Sequence, residues 1–174
     1  MNVNVTEIAP EILRISFYEP GHPVNFGCFL IRDEQPAMVE TSFRHTFNLV
    51  HDAVRRLVDP AKLRYLVIPH FEMDECGSLN QFLAVAPQAE PVCSPVGGIV
   101  TLGDFTERPP KVVANGEKLS LGRKVLRFVV SVGSLLGQHV GLRRDGQRAF
   151  YLRPLHATGR SGAIHDRGSV HGDG

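Results

Sequence analysis

One imidazole and three carboxylates crowd a short stretch of this chain, His70-Phe71-Glu72-Met73-Asp74-Glu75-Cys76-Gly77. His70, Glu72 and Asp74 occupy alternate positions. Directly before them runs Tyr65-Leu66-Val67-Ile68-Pro69, an apolar run of strand length closed by proline. Alternate side chains of an extended segment point the same way. One nitrogen and two hard oxygen donors can therefore meet at one point, a set that a transition metal such as iron accepts readily. The carboxyl end of a strand is also where open α/β sheets present their ligands. The plainer reading of the same residues is a polar loop that enters a helix through an N-cap.

Neighbouring groups offer less. Cys76 beside His70 could form a nucleophile and base, yet no third orienting group is evident. Phe71 and Met73 alternate with the ligand candidates, so they are expected to face the core or to shape a small apolar gas pocket. His22 sits in a Gly-Pro turn and reads as exposed, and His45 and His51 fall on the solvated side of a helix.

The elements that must position these groups can be read from pattern. With 174 residues the chain has the length of one domain and can bury a core without disulfides. Its net charge of +1 gives no electrostatic footprint for nucleic acid. No apolar stretch approaches the roughly 18–20 residues of a membrane span, and no signal peptide opens the chain, so a cytoplasmic protein is the expectation. Cys28, Cys76 and Cys93 make an odd number without zinc spacing, which argues against a disulfide framework.

Residues 6–17 and 25–39 read as antiparallel strands around a turn at Glu19-Pro20-Gly21-His22-Pro23. Thr41 or Ser42 is expected to cap a helix that buries Phe43, Phe47, Val50, Val54, Leu57 and Val58 at helical spacing. After the strand 64–68 and the acidic motif, a second helix begins near Cys76, turns Leu79, Phe82, Leu83 and Ala86 inward and stops at Pro87. Pro91-Val92-Cys93 is a short strand, and 96–102 a short helix weakened by Gly97-Gly98. Asn115-Gly116 is a hairpin signal, followed by a β pair at 118–121 and 124–130. Such an order suits an α/β sandwich with helices on its outer faces.

The motif resembles the first metal-binding signature of the metallo-β-lactamase superfamily, and within it the oxygen-binding di-iron branch that includes flavodiiron proteins. Zinc hydrolases of the superfamily usually carry His-x-His-x-Asp-His here. In this chain Glu72 stands in the second slot, as in the branch's His-x-Glu-x-Asp, and Glu75 stands where a final His is common. The resemblance spans roughly residues 10–130, with Glu40-Thr41 where relatives often have Asp-Thr and a Leu121-Gly122 hairpin beyond. It implies a metallo-β-lactamase-like αββα sandwich, here incomplete, and a di-iron site. His70 and Glu72 would bind one iron and Asp74 the other. Hard anionic donors favour ferric iron and the handling of dioxygen or nitric oxide. Glu75 would hydrogen-bond a ligand imidazole and orient it, or serve as a helix N-terminal acid.

A complete site in such relatives also needs a second His, a bridging Asp and a third His later on. Where the second His is expected, this chain reads Ser131-Val132-Gly133-Ser134-Leu135-Leu136-Gly137-Gln138-His139, which does not match. Composition breaks at the same place: from Ser131 to Gly174 there is neither lysine nor glutamate. Read one base later, codons allowed for Gly133 to Val140 permit Val-His-Phe-Trp-Asp-Ser-Met. Those for Leu142 to Gln147 permit Tyr-Asp-Glu-Thr-Asp-Lys, and those for Tyr151 to Ala157 permit Thr-Ser-Asp-Leu-Phe-Met-Gln. Codon degeneracy allows these readings without forcing them. They resemble the missing ligand segments, so a slip of reading frame near residues 130–133 is the expectation. The chain then divides into a di-iron-type part, 1–130, and an irregular out-of-frame tail, 131–174. His139, His156, His165, His171, Asp145, Asp166 and Asp173 would be ligand candidates only by coincidence.

The resemblance thus implies iron as cofactor, a gaseous substrate and a separate electron donor. No Gly-rich phosphate loop or flavodoxin segment suggests an FMN site. No catalytic side chain is assigned, and dimerisation, common among relatives, stays open. Two alternatives remain: a zinc hydrolase acting through a metal-activated water, and a non-catalytic sensor or interaction domain.

Overall fold

The computed structural model describes residues 1–21, 24–130, 138–144 and 150–152. A seven-stranded sheet in sequential order is built from β1 (Val3–Ala9), β2 (Ile12–Tyr18), β3 (Asn25–Ile31), β4 (Ala37–Val39), β5 (Tyr65–Val67), β6 (Glu90–Cys93) and β7 (Lys111–Val112). The first four strands pair antiparallel and the last four parallel. A second sheet, four-stranded and antiparallel, comprises β8 (Lys118–Ser120), β9 (Lys124–Val130), β10 (Gln138–Arg144) and β11 (Phe150–Leu152) in the order β11-β10-β9-β8.

Strand alternation sorts side chains of the larger sheet into two cores. Leu13, Ile15, Phe17, Cys28, Leu30, Met38, Leu66 and Ile68 face one way, onto helices α1 (Phe47–Arg55) and α3 (Leu79–Val85). Ile12, Phe29, Ile31, Ala37, Val39 and Val67 face the other way, onto Leu119, Leu121, Leu126 and Phe128 of the second sheet. Helix, sheet and sheet make three layers, the α/β arrangement expected. Among the described residues the helices cover the larger sheet. No helix there is long and apolar enough to cross a membrane.

Several local expectations change. Thr41 and Ser42 do not cap a helix; a single 3-10 turn, Arg44–Thr46, precedes α1 and neither terminus has a side-chain cap. The Thr41 hydroxyl is used elsewhere, as described below, and the Ser42 hydroxyl pairs with that of Thr46 at 3.0 Å. Asn115-Gly116 does turn the chain, with Gly116 at φ 81°, yet it joins two different sheets because β7 pairs with β6. The hairpin proper is β8–β9, closed at Leu121-Gly122 by the Leu121 amide donating to the Lys124 carbonyl, 2.8 Å. Residues 138–144 and 150–152 are strands, and Phe150-Tyr151-Leu152 pairs with β10. His22 lies outside the described residues, as do Asp145, His156, His165, Asp166, His171 and Asp173.

Asp33 ties the two sheets together from the β3–β4 turn. Its carboxylate accepts hydrogen bonds from the amides of Arg123 (3.2 Å) and Lys124 (2.7 Å) and from Arg123 Nε (3.2 Å). Burial alone would raise its pKa, but these bonds and one from the Glu34 amide outweigh it and hold the carboxyl below its ordinary value. Asp33→Ala strands several donors together and is expected to cost about 2–4 kcal/mol, measured as a shift in the urea midpoint. A shift no larger than that of an exposed surface alanine would refute this role.

Candidate metal centre

Three parallel strands deliver the site. β4 ends in Glu40-Thr41-Ser42, β5 leads through Ile68-Pro69 to His70, and β6 lies on its other side. The ladder runs past the strand ends, with the Glu40 amide donating to Val67 O (2.9 Å) and the Ile68 amide to Val92 O (2.8 Å). Glu40 and Ser42 then adopt left-handed backbone, φ 65° and 73°. Each such residue costs on the order of 1–3 kcal/mol, and bonds to the following loop hold them there.

Those bonds form a clasp. Thr41 donates both its amide (2.6 Å) and its hydroxyl (3.0 Å) to the carbonyl of Glu75. The Ser78 hydroxyl donates to the Thr41 carbonyl, and the Ser78 amide to Ser42 O at 2.9 Å. Short apolar strands bring the two loops together, and small hydroxyl residues lock them.

Within the motif the backbone changes period. Glu72 is extended, φ −79° and ψ 152°, and starts the short helix α2 (Met73–Cys76), its carbonyl accepting from the amides of Glu75 and Cys76 at 2.9 Å. Extended alternation therefore stops at Glu72. On a helix, residues three apart share a face, so Glu72 comes to lie with Glu75. His70, Glu72 and Glu75 each bring a ligand atom within 4.8 Å of the others. His70 Nδ1 stands 3.7 Å from Glu75 Oε1. Asp74, named with His70 and Glu72 from sequence, is outside that group. The same change of period puts Met73 at the surface, 52% exposed, where the alternation placed it inward. Phe71 does pack against the helix-side core.

The site is strongly acidic. Burial, then the charges of Glu40, Asp74 and Glu72, push the Glu75 carboxyl up to about 10, with a backbone hydrogen bond from His70 opposing. Burial, then Asp74, pushes Glu40 up to about 8, and Arg14 opposes. Carboxyls held this far above their ordinary range are poised for either a proton or a cation. One imidazole and two carboxylates fit iron by donor type. Cys76 is pushed up to about 12 by burial and by Glu75 and Asp74, which disfavours the thiolate that a nucleophile needs. His45 Nε2 meets Glu19 Oε1 at 2.8 Å, and the His51 ring stacks on Phe47; neither enters the site. His139 lies in β10.

No family model matches the chain. A putative diflavin flavoprotein A 1 of Thermosynechococcus vestitus is 35% identical over 145 residues, covering 75% of this chain and 25% of that protein. A rubredoxin-oxygen oxidoreductase of Megalodesulfovibrio gigas is 28% identical over 105 residues, 59% of this chain and 26% of its own length. A nitric oxide reductase of Moorella thermoacetica is 26% identical over 106 residues, 60% and 27%. The chain thus spans about a quarter of the length of these relatives. Among solved structures, the flavodiiron protein from Giardia intestinalis superposes with a TM-score of 0.73 at 15% identity, over 86% of this chain and 40% of that one. A metallo-β-lactamase from Cronobacter sakazakii does so at 0.69 and 16% identity, over 94% and 66%.

Proposed function

This chain belongs to the flavodiiron-like branch of the metallo-β-lactamase superfamily, and from that premise we propose that its His70 loop binds iron and serves in the binding or reduction of dioxygen or nitric oxide. The observation that supports this most is the convergence of an imidazole and two carboxylates within 4.8 Å at the carboxyl end of a parallel strand. The His-x-Glu-x-Asp resemblance offers His70, Glu72 and Asp74 as ligand positions, while the residues that converge here are His70, Glu72 and Glu75. Bound iron would supply electron exchange with a gaseous substrate, which no side chain here provides. The protein's own part is to hold the donors on one wall of the sheet and to keep the acidic groups desolvated beside them. Electrons would come from a separate donor. A cytoplasmic setting and homodimerisation belong to the same proposal.

With three ligand residues rather than a full di-iron set, the chain is expected to take up no more than one iron and to show little turnover. Anaerobic Fe(II) titration of the purified chain tests this, and His70→Ala is expected to abolish uptake. Two tightly bound irons per chain, or undiminished uptake by His70→Ala, would contradict it. The zinc-hydrolase reading rests on the fold shared with the Cronobacter enzyme. Zinc retained after aerobic purification without added metal, and no affinity for iron, would favour it.

The segment after residue 130 is proposed to be out of frame. Two motif-like messages in the overlapping frame and the loss of lysine and glutamate support that reading. Pairing of β10 with β9 is no obstacle, because ladder bonds use backbone groups that any sequence supplies. Resequencing the DNA across codons 128–135 decides the matter, and codons that do not spell the overlapping message would end it.

A further inference from the structure

We infer that the metal-holding set of this chain is His70, Glu72 and Glu75, with the Glu75 carboxylate a direct ligand of a single metal ion and Asp74 outside its coordination. The inference rests on the metal-site reading above and changes which residues compose it. The geometry begins with the switch from extended to helical backbone at Met73. Past that point Glu75, three residues beyond Glu72, returns to the side shared by His70 and Glu72, and Asp74 is not among the described residues whose ligand atoms converge.

Distances suit one ion. Oxygen and nitrogen donors bind such metals at about 2.0–2.2 Å, so two donors of one ion lie roughly 3–4.4 Å apart. The three ligand atoms here already lie within 4.8 Å, and His70 Nδ1 and Glu75 Oε1 are 3.7 Å apart. Binding would draw these atoms somewhat closer, and Glu72 is the exposed member of the set. Two ions need a spacing of about 3.5–4 Å and a group between them, which one convergence point does not offer.

Rigidity supports the assignment. Glu75 is 2% exposed, and its carbonyl is held by the amide and hydroxyl of Thr41. Its carboxylate is therefore presented with little freedom to lose, as direct ligation requires.

The full chain, stripped of metal, is titrated anaerobically with Fe(II), alongside Glu75→Gln, Asp74→Asn and Glu75→Asp. Replacing groups that merely orient a ligand costs about 10–100-fold in affinity, so losing a ligand should cost about a hundredfold or more. That loss is expected for Glu75→Gln, together with a changed d–d spectrum when Co(II) replaces iron. Glu75→Asp, charged but shorter, is expected to lose affinity as well, and Asp74→Asn to stay within about threefold of the parent. Circular dichroism of metal-free Glu75→Gln should match the parent, since the change removes a buried acid without changing its shape. Loss in Asp74→Asn with Glu75→Gln unaffected would overturn this inference and leave the metal-site reading standing. No Fe(II) or Co(II) uptake by the parent chain would overturn both.

Discussion

Raising the pH of the metal-free chain from about 5 to about 10 is expected to lower its stability by several kcal/mol. The cause is the buried acid pair. Glu40 is pushed up to about 8 and Glu75 to about 10, from 4.5, with burial the largest cause in both. The folded chain binds these protons more tightly than the unfolded chain does. Between pH 4.5 and those values unfolding releases protons, so rising pH favours the unfolded state. The two groups share their proton equilibria, so the fall should be broad rather than stepped. Asp33 acts in the opposite sense: its lowered pKa contributes stability that is present above 3.8 and lost as the pH falls below it. Metal-free protein should therefore be most stable near about pH 4–5. Thermal melts in chelator across this range check it, and a level profile from pH 5 to 9 would refute the buried-acid account. Added Fe(II) should raise the melting temperature most at the alkaline end, where a cation replaces the missing protons.

Gly77→Ala is expected to be the most damaging small substitution in the loop, at about 3 kcal/mol, with loss of iron uptake. The backbone there is ordinary, φ −59°, so conformational freedom is not the reason. A methyl at Gly77 would sit 2.8 Å from the amide nitrogen of Arg44 and 3.2 Å from Cα of Phe43. Both are main-chain atoms that cannot rotate away. Relief would push α2 off the Arg44 turn and carry Glu75 with it. Gly116→Ala makes the comparison. Gly116 has φ 81° with open space around it, so the cost is that of a left-handed alanine, about 1–2 kcal/mol, and iron uptake should be unchanged. Urea midpoints and iron titrations of both variants measure the contrast; equal losses of uptake would contradict it.

Much of this could be read from the chain itself, and the misses share a cause. The run Tyr65 to Ile68 gave its strand away by composition, and a polar cluster at its end marked a site. The buried faces of α1 and α3 followed from helical spacing. What failed was the direction of side chains after Glu72. Period-2 reasoning carried one residue too far placed Met73 in the core, whereas the helix that begins there leaves it exposed. The acidic run Asp74-Glu75 at a helix start was the available signal, since a helix beginning at Met73 pairs Glu72 with Glu75. Glu40 was legible only as a family position, because its burial depends on how β4 and β5 lie side by side. Thr41 and Ser42 look like helix caps in any local window; the Thr41 hydroxyl instead meets Glu75 in a loop more than thirty residues on, and the Ser42 hydroxyl meets Thr46. At Asn115-Gly116 the turn chemistry was right, but local sequence does not say which sheet each flanking strand joins.

The clasp on the His70 loop has a bearing on how such a site can change over time. Thr41 grips Glu75 by its carbonyl, and Ser78 grips residues 41 and 42 by theirs. Carbonyls are common to every amino acid. The loop's shape is therefore largely independent of which side chains stand at positions 72, 74 and 75. Donors can be exchanged one at a time, histidine for glutamate or the reverse, while the frame that aims them stays put. Metal preference in this architecture is then a matter of single substitutions rather than of refolding.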